Sequence, residues 1–181
     1  RQRGTAVSQL TLDDDFIVPD ALDDAVQILL SDGEVQIENS RIQGEKVLIR
    51  GKLVFRVLYR RESGGLQAMG GEIPFEETVN VSELSERDYT QIVWNIEDLN
   101  ITMIHSRKLS AKAVLTLTVR AESRVDAQAA ADVETDDAGL QVLKRSVPAA
   151  TLAVRRKDIY RVREEVSVSA NKPNIETILW Q

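Results

Sequence analysis

The 181-residue sequence contains no cysteine, which excludes a disulfide framework, thiol catalysis and thiolate metal sites together. A reducing cytosol tolerates that absence and so do many exported proteins, so the compartment stays open. Aromatic residues are scarce, with two Trp, three Tyr and three Phe. This argues against a deep aromatic ligand cage and leaves the core to branched aliphatics. Basic residues are outnumbered, 23 against 29 acidic, for a net charge of -6. Such a surface has no broad attraction for phosphate backbones or anionic lipid, and no nucleic-acid partner is expected. No run approaches the ~20 apolar residues of a membrane span. The opening Arg1-Gln2-Arg3-Gly4-Thr5 is not followed by an apolar signal core, so no membrane insertion is expected. The sequence starts without Met and ends at Gln181 directly after a helical pattern, which leads us to expect a piece of a longer chain.

What is present is ordinary for a globular protein: 43% apolar and 29% charged residues. The length suits one domain or two small, closely packed ones, burying roughly two-thirds of the unfolded surface. The clearest pattern runs from Ile96 to Val119, two strands around the polar knot His105-Ser106-Arg107-Lys108. In its second half Leu109, Ala111, Ala113, Leu115, Leu117 and Val119 alternate with Ser110, Lys112, Thr116, Thr118 and Arg120, the period of a half-buried strand. A second long run, Lys46 to Arg60, puts Val47, Ile49, Leu53, Phe55, Val57 and Tyr59 on one face, with Gly51 among them. A glycine there suggests a bulge or a close backbone approach. Its other face mixes Arg50, Lys52, Arg56 and Arg60 with Leu48, Val54 and Leu58, which points to partial cover.

Further strands are expected over Ala6 to Leu12, Val35 to Ile42, Leu66 to Val81 with breaks at Gly70-Gly71 and Pro74, and Tyr89 to Ile96. Ser63-Gly64-Gly65 reads as a hairpin tip and Ser82 to Asp88 as a polar connection. After Val119 the chain is expected to stay extended to about Val133, to turn at Glu134 to Gly139, and to offer a basic strand at 140–147. Asp13-Asp14-Asp15 reads as an acidic turn ahead of Pro19. Ala21, Leu22, Ala25, Val26, Ile28 and Leu29 at helical spacing predict a short helix over 20–30. The ending repeats that design, with Ile178-Leu179 corresponding to Ile28-Leu29, and predicts a second short helix over 173–180. A displacement of about 62 residues lays Val47, Ile49, Leu53, Phe55 and Val57 over Leu109, Ala111, Leu115, Leu117 and Val119, an echo compatible with duplicated sheet halves. The expected fold is mainly β, an antiparallel, long-stranded, sandwich-like or curved-sheet domain with those two short helices.

No constellation of reactive residues emerges. Asp13, Asp14, Asp15, Asp20, Asp23 and Asp24 are hard oxygen ligands, yet no glycine and no closing glutamate fall in calcium-loop register. Asp132, Glu134, Asp136 and Asp137 fail in the same way. Capping and solubility explain them, and no metal is expected. Neither Gly64-Gly65 nor Gly70-Gly71 opens a phosphate-binding pattern, and no cofactor is expected. His105 beside Ser106 invites a hydrolase reading, but neighbours on extended chain face opposite sides and no second base is marked. Arg155-Arg156-Lys157, Arg161 and Arg163 around Tyr160 form the best basic cluster. Alternation through 159–164 reads instead as an amphipathic strand with a solvated face.

Gln9 to Asp20 with Gln27-Ile28-Leu29, Trp94 to Leu99, Ser106 to Ala113, and Lys172 to Leu179 together resemble the SPOCS domain family, found in spore coat and SipL-like morphogenetic proteins. The resemblance spans nearly the whole chain, and its central motif, Ser106-Arg107-Lys108-Leu109-Ser110-Ala111-Lys112-Ala113, is its most specific part. Ile17 and His105 stand where Asn is expected, and Ala21-Leu22-Asp23-Asp24 replaces a Lys-Pro-Asp pattern. The resemblance implies a SPOCS-like domain over 1–170, with halves about 1–88 and 89–170, and a following module beginning at 171–181. It further implies a non-catalytic sporulation module on the mother-cell side of the forespore surface, recruiting or anchoring spore coat proteins. A LysM domain outside this chain would contact the coat basement-layer ATPase. The expected protein contacts are the apolar residues Leu48, Val54, Leu58, Ile175, Ile178, Leu179 and Trp180. The alternative is a carbohydrate-binding or hydrolytic domain with a cleft assembled from distant acids, Glu97 and Asp98 among them.

Overall fold

The computed structural model describes residues 2–123 and 160–180 continuously, and between them residues 125, 126, 128, 130, 132–134, 136, 139, 141, 143, 145, 146, 148, 154 and 156. Six antiparallel strands are present: β1 (Gln2–Ile17), β2 (Ala25–Gln43), β3 (Lys46–Arg61), β4 (Leu66–Asn80), β5 (Tyr89–His105) and β6 (Lys108–Glu122). They form two three-stranded sheets, ordered β1-β6-β5 and β2-β3-β4. Each sheet has one of the two cleanly alternating runs at its centre. The inward faces of these strands meet in one apolar core: Val47, Ile49, Leu53, Phe55 and Val57 of β3, and Leu109 to Ala121 at every second position of β6. Phe16 joins from β1, its ring edge-on to Phe55 with centroids 4.6 Å apart.

Hairpins at Gly44, at Gly64-Gly65 and at Ser106-Arg107 connect neighbours within a sheet. The first two carry glycines with positive φ, 60° at Gly44, 92° at Gly64 and 80° at Gly65, where a side chain would be strained. Residues 18–24 and 81–88 carry the chain between the sheets. The first crossing closes one end of the sandwich over a small cluster of Val18, Ala25 and Tyr59, with Leu22 and Met69 packed against it. Because β1 pairs with β6 along its whole length, the first and last strands complete one sheet together.

Several sequence expectations are corrected. No helix occurs among the described residues. Over 20–30 the chain turns, with the Leu22 N–H bonded to the Pro19 carbonyl at 2.8 Å, and then enters β2. The helical spacing has a local cause: register shifts at Ala25/Gln27 and Ile28/Leu30 insert extra residues into β2, and two bulges in so short a span break the period of two. Residues 173–180 repeat this pattern without forming a helix. A stretch of eight residues cannot sustain one without an apolar face packed against something. Asp13-Asp14-Asp15 is not a turn but part of β1. β6 ends at Glu122, and no strand occurs among the described residues of 123–133 or 160–169. The basic strand expected at 140–147 falls largely outside the described residues.

The chain divides into two units, Arg1–Val125 with Thr177–Gln181, and Asp126–Glu176. The first holds both sheets. The described residues of the second are exposed and lack helix or strand.

Candidate functional site

The outward face of the β2-β3-β4 sheet is built on the even-numbered residues of β3. Leu48 and Val54 are half-buried there and Leu58 is only 8% exposed, although a three-stranded sheet alone leaves such a face open. Between them stand cations matched to acids on both flanking strands. Arg50 donates through Nε to Glu76 Oε1 at 2.8 Å, Lys52 Nζ lies 2.9 Å from Glu72 Oε1, and Arg56 Nη2 lies 3.5 Å from Asp32 Oδ2. Arg50 and Glu76 are direct cross-strand partners, as are Asp32 and Arg56. The Glu72 hydrogen bond pushes the Lys52 ammonium above its ordinary pKa. On this face of β3 aliphatic positions are interspersed with ion-paired ones. The Arg56 guanidinium carbon lies over the Trp180 ring, 5.2 Å from its centroid, within cation–π range.

A second polar cluster occupies the end of the sandwich where residues 18–24 cross between the sheets. Arg107, in the β5–β6 turn, donates through Nη1 to the Leu22 carbonyl and Asp24 Oδ1, both at 2.9 Å. Through Nη2 it donates to the carbonyls of Val18, 2.9 Å, and Pro19, 3.0 Å. Ser106 Oγ donates to Asp24 Oδ2 at 2.8 Å. The Val18 and Ala25 N–H groups bond the carbonyls of Arg107 and Ser106. The Arg107 and Ser106 hydrogen bonds hold the Asp24 carboxyl below its ordinary pKa, while the Asp24 bond holds the Arg107 guanidinium above its own. Tyr59 donates to the Asp23 carbonyl at 3.0 Å, and burial pushes its phenol pKa up. Along the β1–β6 ladder, Lys108 Nζ lies 2.7 Å from Asp15 and Lys112 Nζ 3.2 Å from Asp13, and the Lys108 hydrogen bond lowers the Asp15 pKa.

Residues 24–104 match the family model described as SipL, SPOCS domain. This stretch is similar to the SPOCS domain. The similarity suggests a sporulation-related module. No curated protein and no solved structure matches the chain. The matched stretch supplies β2, β3, β4 and nearly all of β5, and the sandwich is completed by β1 and β6, which lie outside it.

The residues singled out from the sequence are placed as follows. Leu48, Val54 and Leu58 share the outer face of β3, and Trp180 rests on Arg56 of that face. Ile175, Ile178 and Leu179 are exposed, at 62%, 68% and 37%. His105 Nδ1 accepts the Arg107 backbone N–H at 3.2 Å and Ser106 is taken up by Asp24, so the two side chains serve different partners. Glu97 is held by Asn95, 2.9 Å, and Thr116, which lower its pKa, and Asp98 follows it beside a bulge of β5. Neither is an ion-pair partner of Arg107 or Lys108, which turn instead to the Asp13–Asp24 stretch. Arg156, Tyr160, Arg161 and Arg163 are exposed, and Arg155 and Lys157 lie outside the described residues. The sequence marked the cations of β3 as one face. It carried no signal for their acids on β2 and β4, or for Trp180 from more than a hundred positions away.

Proposed function

We propose that this chain is a SPOCS-type, non-catalytic interaction module of a spore coat morphogenetic protein, recruiting or anchoring coat proteins at the forespore surface from the mother-cell side. The observation that carries this reading is the outer face of β3. There apolar Leu48, Val54 and Leu58 are interleaved with paired charges on a rigid sheet flanked by two long strand edges. Such a surface gives a partner both apolar area and directional polar contacts. Leu48, Val54 and Leu58 are the proposed contacts on this face, Ile178, Leu179 and Trp180 are proposed as apolar contacts of the terminal segment, and Ile175 is proposed as an apolar contact in its own right. The carbohydrate-binding or hydrolytic alternative requires two carboxylates converging on a cleft at about 5 to 9 Å, whereas Glu97 is already engaged along its own strand and across to β6. The test is a pull-down from sporulating cells, with retained proteins identified by mass spectrometry. The chain is compared with a folded variant carrying Val54→Glu and Arg50→Glu. Coat proteins retained by the parent and lost from the variant are the expected result; equal retention, or no coat protein on either, overturns the proposal.

A further inference from the structure

Residues 160–179 are exposed at every position, and Trp180 breaks that run by becoming half-buried. Thr177–Gln181 belongs to the same compact unit as the two sheets, while the 50 or so residues before it do not. The indole of Trp180 lies over the Arg56 guanidinium. Arg56 is also paired with Asp32, 3.5 Å away. On either side of Arg56, two residues along β3, stand Val54 and Leu58, and Leu58 is nearly inaccessible. We propose that residues 177–180 form a strap that masks this part of the outer face, and that the face opens to a partner by displacement of Trp180. The inference rests on the reading of this face as the protein contact and adds its regulation.

With Ile178 and Leu179 still facing solvent, the strap is open to displacement. The Trp180–Arg56 cation–π contact by itself lowers the affinity of anything competing for the face about two- to fivefold. The ligand that fits is an extended segment offering an aromatic ring to Arg56 and aliphatic side chains to Val54 and Leu58, the chemistry that Ile178-Leu179-Trp180 already supplies.

The test uses the full chain in two arms, neither of which needs a coat protein. With Trp94→Phe, Trp180 is the sole indole. Adding Arg56→Ala is expected to red-shift its emission and raise its quenching by neutral acrylamide, with Arg56→Lys falling between. Emission and quenching unchanged by Arg56→Ala overturn the strap. In the second arm the apolar dye bis-ANS is titrated. Trp180→Ala is expected to bind it about two- to fivefold more tightly than the parent, and Val54→Glu in the same background is expected to remove the gain. Unchanged dye affinity, or a gain that survives Val54→Glu, shows that this face is not what the tail covers. Because the pull-down reads coat proteins and these arms do not, failure of the strap and failure of the interaction reading are told apart.

Discussion

Gly51→Ala is expected to destabilise the sandwich, against the usual direction of that substitution. Where the native backbone accepts Ala, replacing Gly stabilises by about 0.4–1 kcal/mol because the unfolded chain loses freedom. Gly51 lies on the inward face of β3 opposite Ile37 and Phe75. A Cβ there would sit 2.7 Å from the Gln36 carbonyl oxygen and 2.8 Å from Phe75 Cζ. Phe75 could shift, but the carbonyl belongs to the backbone of the adjacent strand and cannot move without disturbing the ladder. Forcing one carbon into such a site costs about 1–3 kcal/mol, which outweighs the gain and leaves a net loss of about 1–2 kcal/mol. Gly4 supplies the control, since a Cβ there meets Val81 Cγ1 at an ordinary 3.5 Å, and Gly4→Ala should stabilise by the usual few tenths to about 1 kcal/mol. Urea unfolding followed by circular dichroism measures both. With a slope of about 2 kcal/mol/M, the midpoint should fall by about 0.5–1 M for Gly51→Ala and rise for Gly4→Ala. A Gly51→Ala midpoint at or above the parent's would refute the close-approach argument.

Three further outcomes follow from the packing and the polar end. Arg107→Gln should lower the urea midpoint at pH 7, and its gap from the parent should narrow on acidification. Asp24 has a folded pKa below its ordinary 3.8, so the stability it adds is present above about pH 4 and is lost as pH falls through the folded value; a gap independent of pH from 7 to 3 would contradict this. Leu115→Ala removes a fully buried side chain from the centre of β6 and should cost about 2–5 kcal/mol, read as a lower thermal midpoint. A fragment limited to residues 24–104 should show no cooperative urea transition, whereas one spanning 1–125 should. The shorter piece lacks β6 and β1, and with them Leu109, Leu115, Leu117 and Val119.

Legibility in the sequence followed local regularity. β3 and β6 are central strands that alternate without interruption, so both their faces and their core residues could be read directly. β2 is an edge strand with three register shifts, and its bulges scramble the period of two into something that imitates a helix turn. The acidic run of β1 looked like a turn because three consecutive Asp residues are poor strand formers. It is extended because Lys108 and Lys112 of the neighbouring strand lie beside Asp15 and Asp13, a partnership separated by about a hundred residues. The outer face of β3 was half legible: its apolar and cationic residues share one parity, but their acids and Trp180 come from elsewhere.

The chain crosses between sheets at residues 18–24, and there the carbonyls of Val18, Pro19 and Leu22 have no strand-ladder N–H to donate to them. Buried or half-buried carbonyls need donors, and Arg107 supplies them with one planar fork while neutralising Asp24. Lysine could not reach so many acceptors in fixed directions. Two of the stretches whose residues resemble the SPOCS family, Gln9 to Asp20 and Ser106 to Ala113, therefore contribute to the two sides of a single clasp. The matched residues begin at Asp24 and end at Ile104, so the Arg107 side of the clasp lies just beyond them. The same contacts give the neighbouring pair different partners: Ser106 is bonded to Asp24, and His105 accepts the Arg107 N–H. These contacts tie the turn between β5 and β6 to the crossing between the sheets, as the Arg56–Trp180 contact ties the terminal segment to the β3 face.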